Sequence, residues 1–204
     1  MTGAETLRRR RADGERTRQA ILQSAAMLAT VQGLEGLSIG RLADHLGISK
    51  SGLYAHFGSK EELQLATVET ADAIFEAEVV RPTEGEPTAR GRIEALCERF
   101  LSHVERRVFP GGCFFAAVAA ELDTQPGRVR ERVVDFHRGW TARFEGLIRE
   151  AQAAGGIDPS EDPSQLAFEI DAFLLMANNA FVLENDPIVL ERARRALRRR
   201  LGRR

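Results

Sequence analysis

The chain has 204 residues, 43% hydrophobic and 29% charged, which suits a soluble protein able to bury a core. No apolar run approaches the ~20 residues of a bilayer span, no apolar segment follows the basic start, and two cysteines, Cys97 and Cys113, exclude a disulfide framework and lack metal-site spacing, so the expectation is a cytoplasmic protein with no membrane partner. The net charge of −1 hides an asymmetry: residues 1–60 carry +4, residues 61–186 carry −12 and residues 187–204 carry +7, which points a basic end at a polyanion.

In chain order, residues 1–12 are polar and basic and are expected to form a disordered arm. From about Asp13, Ile21, Leu22, Ala25, Leu28 and Ala29 recur at helix spacing, and Gly33 and Gly36 end that helix. Ser38 can cap a short helix with Ile39, Leu42, Ala43 and Leu46 inside, broken by Gly47. Ser49 can cap a second short helix with Leu53 and Phe57 on one side, stopped by Gly58. Ser59 to Glu62 fits a capping box, with Glu62 reaching back, and opens a helix running toward Val80.

"RPTEGEP" reads as a linker, and Ile93, Leu96, Cys97, Phe100, Leu101 and Val104 as an amphipathic helix. "FPGG" breaks the chain at 109–112, and "CFFAAVAAEL" is a short buried helix. A long helix from Val129 to Ala154 carries Val133, Phe136, Trp140, Phe144, Leu147 and Ala151 on one face. Asp162-Pro163 opens the next, to about Leu183. That helix is apolar on two faces: Leu166, Ile170, Phe173, Ala177 and Phe181, and Phe168, Leu175, Met176 and Leu183. Asp186-Pro187 opens a last helix ending in "RRALRRRLGRR". The expected fold is all-α: an arm at 1–12, a compact head of short helices at 13–58 and a helical bundle at 59–204.

Two short helices joined by "LGIS" make a helix-turn-helix, whose second helix enters the major groove. Here it spans 49–56 and turns Ser49, Lys50, Ser51, Tyr54 and His56 outward. Lys50 and Lys60 are the only lysines and Tyr54 the only tyrosine of the chain. Lysine suits a phosphate or a guanine edge. Lys60, in the first turn of a helix, opposes the helix dipole unless a phosphate sits there too. These residues mark a phosphate-gripping surface.

The stretch "LSIGRLADHLGISKSGLYAHFGSKEEL" resembles the signature of the TetR family of transcriptional regulators, matching at Ala43, Gly47, Ser49, Leu53, Tyr54, His56, Phe57, Ser59, Lys60 and Leu63. The likeness covers about 16–65. Residues 66–204 fit the family's variable bundle in length and pattern only. Ser51-Gly52 stands where many members have Gly-Thr, so Ser51 or Ser49 is expected to replace the threonine hydroxyl.

The resemblance implies a homodimer that places two recognition helices on a palindromic or near-palindromic DNA operator. It implies DNA contacts by Ser38, Arg41, Lys50, Tyr54, His56 and Lys60, with Arg16, Thr17 and Arg18 reaching phosphate from the first helix. Lys50 is a base or a phosphate contact; Tyr54, His56 and Lys60 are phosphate contacts. The arginines at 8–11 either enter the minor groove or form a solvated tail.

The helices near 127–154 and 162–183 are the expected dimer surface, the two-faced second one serving core and partner at once. A pocket for a small hydrophobic or aromatic effector is expected among the middle helices. Its candidate residues are Phe75, Phe100, His103, Phe114, Phe115, Trp140, Phe144, Phe173 and Met176, with Asn178 or Asn179 as polar handles. The fourth helix, anchored to the head by Lys60 and Leu63, would carry the signal, with repression relieved by ligand as the commoner behaviour. The alternative is an interaction module of the same fold without operator binding. No P-loop, His-Glu-x-x-His pair or paired-carboxylate motif is present, so neither an enzyme nor a cofactor nor a metal is expected.

Overall fold

The computed structural model describes residues 3–122, 124 and 126–202, with side chains from Ala12 onward. Among the described residues there are nine α-helices and no strand. They are α1 (Gly3–Gln32), α2 (Ile39–Leu46), α3 (Lys50–Phe57), α4 (Lys60–Phe75), α5 (Ala89–Glu105), α6 (Phe114–Leu122), α7 (Arg128–Ala153), α8 (Pro163–Glu184) and α9 (Ile188–Leu201). α4 does not stop cleanly. It widens into a π-helical turn, Glu76–Val80, and tightens into a 3₁₀ turn, Arg81–Thr83.

The helix starts follow local chemistry. Ser38, Ser49, Ser59, Thr88 and Asp162 each accept a backbone N–H of the first turn they cap. Two expectations change here. α1 begins at Gly3, where an irregular arm was expected; Ala, Leu, Glu and Arg favour helix, and no proline interrupts them. The capping box at Ser59 is half-formed: the Ser59 hydroxyl accepts from Glu62 N at 3.1 Å, but the Glu62 carboxylate turns to Arg128 at 2.8 Å.

α1, α2 and α3 form the head around Ala25, Leu42, Ala43 and Leu53, all fully buried. α4 packs on both α1 and α7, so it is shared by head and body. α7 lies against α8, α5 and α4, and α9 closes on α8 and α5. α8 is apolar on both faces, as its pattern predicts. Leu166, Ile170, Leu174 and Ala177 are buried, whereas Phe168 (67%), Met176 (64%) and Leu183 (85%) are exposed. At 22 residues and a mean hydropathy of 1.5, α8 is long and apolar enough to cross a membrane by length and composition, contrary to the expectation of no such run. Glu169 and Asp171 lie within it and its inner face belongs to the core. α7 turns charged residues outward (Glu131, Asp135, Arg138, Arg143, Arg149, Glu150) together with the small residues Gly139, Ala142 and Gly146.

His103 on α5 is fully buried between Phe75 and Phe109, and neither ring nitrogen has a hydrogen-bond partner. Burial pushes its pKa down to about 4, with Glu78 and Arg106 pulling in opposite directions. In the unfolded chain the ring titrates near 6.5. The neutral ring's contribution is therefore complete above pH ~6.5 and is lost as pH falls toward 4, by up to roughly 3 kcal/mol. Urea denaturation at pH 7.5 and 5 should show this loss, and His103→Leu should flatten it.

Candidate nucleic-acid interface and effector cavity

The α2–α3 turn depends on Gly47. Its φ of 65° is left-handed, and its N–H reaches back to the Ala43 and Asp44 carbonyls. The turn sets α3 with Leu53 and Phe57 inside and Lys50, Ser51 and Tyr54 exposed; His56 is half-buried. The Ser49 hydroxyl accepts from Gly52 N at 3.1 Å and lies 3.3 Å from the Ser51 hydroxyl. Ser38 is likewise engaged as a cap, accepting from Arg41 N at 3.2 Å. Lys50 folds back over Gly40, where an added Cβ would lie 3.6 Å from its Nζ. The ammonium of Lys50, the hydroxyl of Tyr54 and the guanidinium of Arg41 make no hydrogen bond or ion pair with described residues and are free to take an outside acceptor.

On α1, Arg18 lies over the Phe57 ring at 5.2 Å, fixing α1 to α3. Arg16 pairs with Asp13 at 2.5 Å and the Thr17 hydroxyl donates to the Asp13 carbonyl at 2.9 Å. The side chains of residues 8–11, expected as an arm, lie outside the described residues.

Lys60 is engaged within the protein. Its ammonium donates to the Glu35 carbonyl at 2.7 Å and to the Glu35 carboxylate at 2.9 Å. The Lys60 bond holds the Glu35 carboxyl below the usual range. Gln64, buried, adds bonds to the Leu34 carbonyl at 2.8 Å and to Glu35 at 3.2 Å. From the far side Glu121, near the end of α6, accepts the Leu34 and Glu35 N–H groups, each at 2.7 Å. The turn between α1 and α2 is thus clasped by α4 and by a carboxylate of the body. The sequence reading missed Glu35, Gln64 and Glu121. The one available signal was a lone charge in the apolar "CFFAAVAAEL". Glu121→Gln presents one carbonyl to two donors and should cost about 1–2 kcal/mol, read as a lower denaturant midpoint.

Two of the cavities in the body share a wall of aromatic rings. A recess of about 230 Å³ opens between α4 and α7, walled by Phe75, Phe136 and Trp140 and rimmed by Asp72, Glu76 and Asp135 with Arg132 and Arg143. Arg132 pairs with Asp72, and Arg143 with Glu76 at 3.4 Å. Behind the same three rings a void of about 30 Å³ reaches Phe100, Phe115, Cys113, His137 and Asp171. Trp140 donates its indole N–H to Asp171 at 3.0 Å, and His137 Nε2 is buried without a partner. Burial raises the Asp171 pKa, and the Trp140 bond opposes the rise. Burial also pushes the Cys113 thiol up to about 11, which keeps it protonated and unreactive at neutral pH.

Of the expected pocket residues, Phe75, Phe100, Phe115 and Trp140 meet around these cavities. His103, Phe114 and Phe144 are fully buried core residues that line neither. Phe173 and Met176 face away, into an apolar groove of about 300 Å³ between α8 and α9. Asn179 is exposed, and Asn178 is spent on structure: its side-chain oxygen accepts Cys113 N at 2.7 Å and its amide donates to Asn179. Helical periodicity separates inward from outward residues, not wall from core.

Residues 21–67 match the model of the tetR family of bacterial regulatory proteins, and residues 89–197 that of a tetracyclin repressor-like C-terminal domain. The chain is 22% identical over 156 residues to the transcriptional regulator AcuR of Cereibacter sphaeroides, covering 76% of this chain and 71% of that one. A TetR transcriptional regulator from Chloroflexus aurantiacus superposes with a TM-score of 0.88 at 29% identity, over 95% of this chain and 98% of that one. The fold is also shared, at a TM-score of 0.72 and 24% identity over 91% and 96% of the two chains, by AibR in complex with isovaleryl coenzyme A and operator DNA.

Proposed function

Because the chain belongs to the TetR family and is a transcriptional regulator, we propose that it represses transcription from a palindromic operator as a homodimer and is released by a small hydrophobic or aromatic effector. The observation that carries this reading is the outer face of α3, where Lys50 and Tyr54 stand exposed with no partner among the described residues. With Arg41 and His56 they face the major groove, and Lys60, Ser49, Ser51, Ser38, Arg16, Thr17 and Arg18 flank it. Lys60 has three donors and gives two to Glu35, so one is left for a phosphate. The related fold of AibR, seen with both operator and ligand, supports the same division of labour.

The partner surface is formed by α7 and α8, with the exposed apolar strip of α8, Phe168, Met176 and Leu183, at its centre. The effector site is the α4–α7 cavity. Being a regulator of bacterial DNA, the protein works in the cytoplasm. Selection of duplexes from a random library at moderate salt should enrich an inverted repeat with half-sites on one face of the helix. Failure to enrich any sequence across a range of salt, with ligand-free protein, would sink the reading and favour an interaction module.

A further inference from the structure

We infer that the effector is a flat, hydrophobic cation, recognised by the carboxylates around Trp140 and acting by breaking the ion pairs that tie α4 to α7. The inference rests on reading the α4–α7 cavity as the effector site. Three observations support it.

The rim of the cavity carries three carboxylates against two guanidiniums. Both guanidiniums are committed, Arg132 to Asp72 and Arg143 to Glu76, which leaves the Asp135 carboxylate at the mouth without a partner among the described residues. Behind the rim stand the rings of Phe75, Phe136 and Trp140, an aromatic wall of the kind that attracts an organic cation, while both guanidiniums that could hold an anion are already paired. Asp171, half-buried, lines the small void on the other side of these rings, and its one hydrogen-bond partner among the described residues is the Trp140 indole. Against the cost of burial, Trp140 and His137 favour the ionised form of this carboxylate, and a cation in the recess, on the far side of the ring wall, adds to their field. The whole segment 61–186 bears −12, so the field at the mouth also favours a cation. A polyanion such as a coenzyme A ester fits none of this.

The same carboxylates are the rungs between α4 and α7. Arg128 holds Glu62 at 2.8 Å and Glu61 at 3.4 Å, Arg132 holds Asp72, and Arg143 holds Glu76. A cation lodged against Asp72 and Glu76 competes with the two arginines and repels them. It therefore binds best where α4 has moved off α7, which is the differential affinity that a population shift needs.

The chain has one tryptophan, so its emission reports on this site alone. Three probes of one shape separate charge from size: 1-methylquinolinium, 1-methylnaphthalene and 1-naphthoate. Calorimetry on the full chain without DNA should give the quinolinium at least about tenfold the affinity of the naphthalene, with no measurable naphthoate binding. The quinolinium should also change the Trp140 emission. Asp135→Asn, at the exposed rim, and Asp171→Asn, which keeps an acceptor for the indole, should each weaken the cation several-fold and leave the neutral probe unchanged. Equal or tighter binding of naphthoate, or cation affinity indifferent to both variants, would overturn the inference. Operator selection is scored separately. Operator binding without cation preference removes this inference alone, whereas cation binding without an operator removes the regulatory reading and leaves the site.

Discussion

A methyl group added at Gly111 should cost the protein about 3 kcal/mol or more, one of the largest losses available to so small a change. The Cβ of Gly111→Ala would lie 1.9 Å from the Thr30 carbonyl oxygen and 2.6 Å from its carbon, which are backbone atoms of α1 and cannot swing aside. The loop would have to retreat, breaking the bond from Gly111 N to the Thr30 hydroxyl at 3.1 Å. Retreat is blocked behind, because a Cβ at the neighbouring Gly112 would already meet Asn178 Oδ1 at 2.4 Å and Val182 at 2.6 Å. The loop is wedged between the end of α1 and α8. For a chain of this size the melting temperature should fall by roughly 6–12 °C. Gly139→Ala and Gly146→Ala, in α7 with nothing within 4 Å, are the controls and should be neutral or mildly stabilising. A Gly111→Ala protein as stable as these controls would show that the close approach is not rigid.

Lys50→Ala combined with Tyr54→Ala should weaken binding to the selected operator about a hundredfold, with each contact contributing about 1–2 kcal/mol. Both side chains are exposed and partnerless, so the denaturation midpoint should hardly move. Removing one cation from the phosphate contacts should also lower the slope of log affinity against log salt by about 0.9. If instead Lys50 reads a guanine edge, the loss concentrates at one base pair and the slope stays steeper. Unchanged affinity in the double variant would remove α3 from the interface.

Much of the head is legible from the sequence because its determinants are local. Ser38, Ser49 and Ser59 each act on an N–H three residues ahead, and Gly47 on carbonyls three and four residues behind. The two-faced α8 is legible for the same reason, since side-chain spacing along one helix needs no partner to interpret. Lys60 shows the limit. Its position opposing the helix dipole suggested a phosphate, but the nearest acceptor is Glu35, twenty-five residues back. The Glu121 clasp spans 86 and 87 residues and leaves no period to read. The effector cavity was half-legible. Its rings stand out by their apolar spacing, whereas Asp72, Glu76, Asp135 and Asp171 carry no local signal that sets them apart from other charged helix positions.

The π-helical turn after Phe75 bears on how α4 carries a signal. A π turn accommodates one more residue than an α turn, and such turns inside helices recur at functional sites. Phe75 and Glu76, which line the cavity, sit at the junction of the two. On the proposed reading, an occupant pressing there would change how many residues are wound tightly, and α4 would turn as a screw whose thread advances by one residue, rotating the end that holds Lys60.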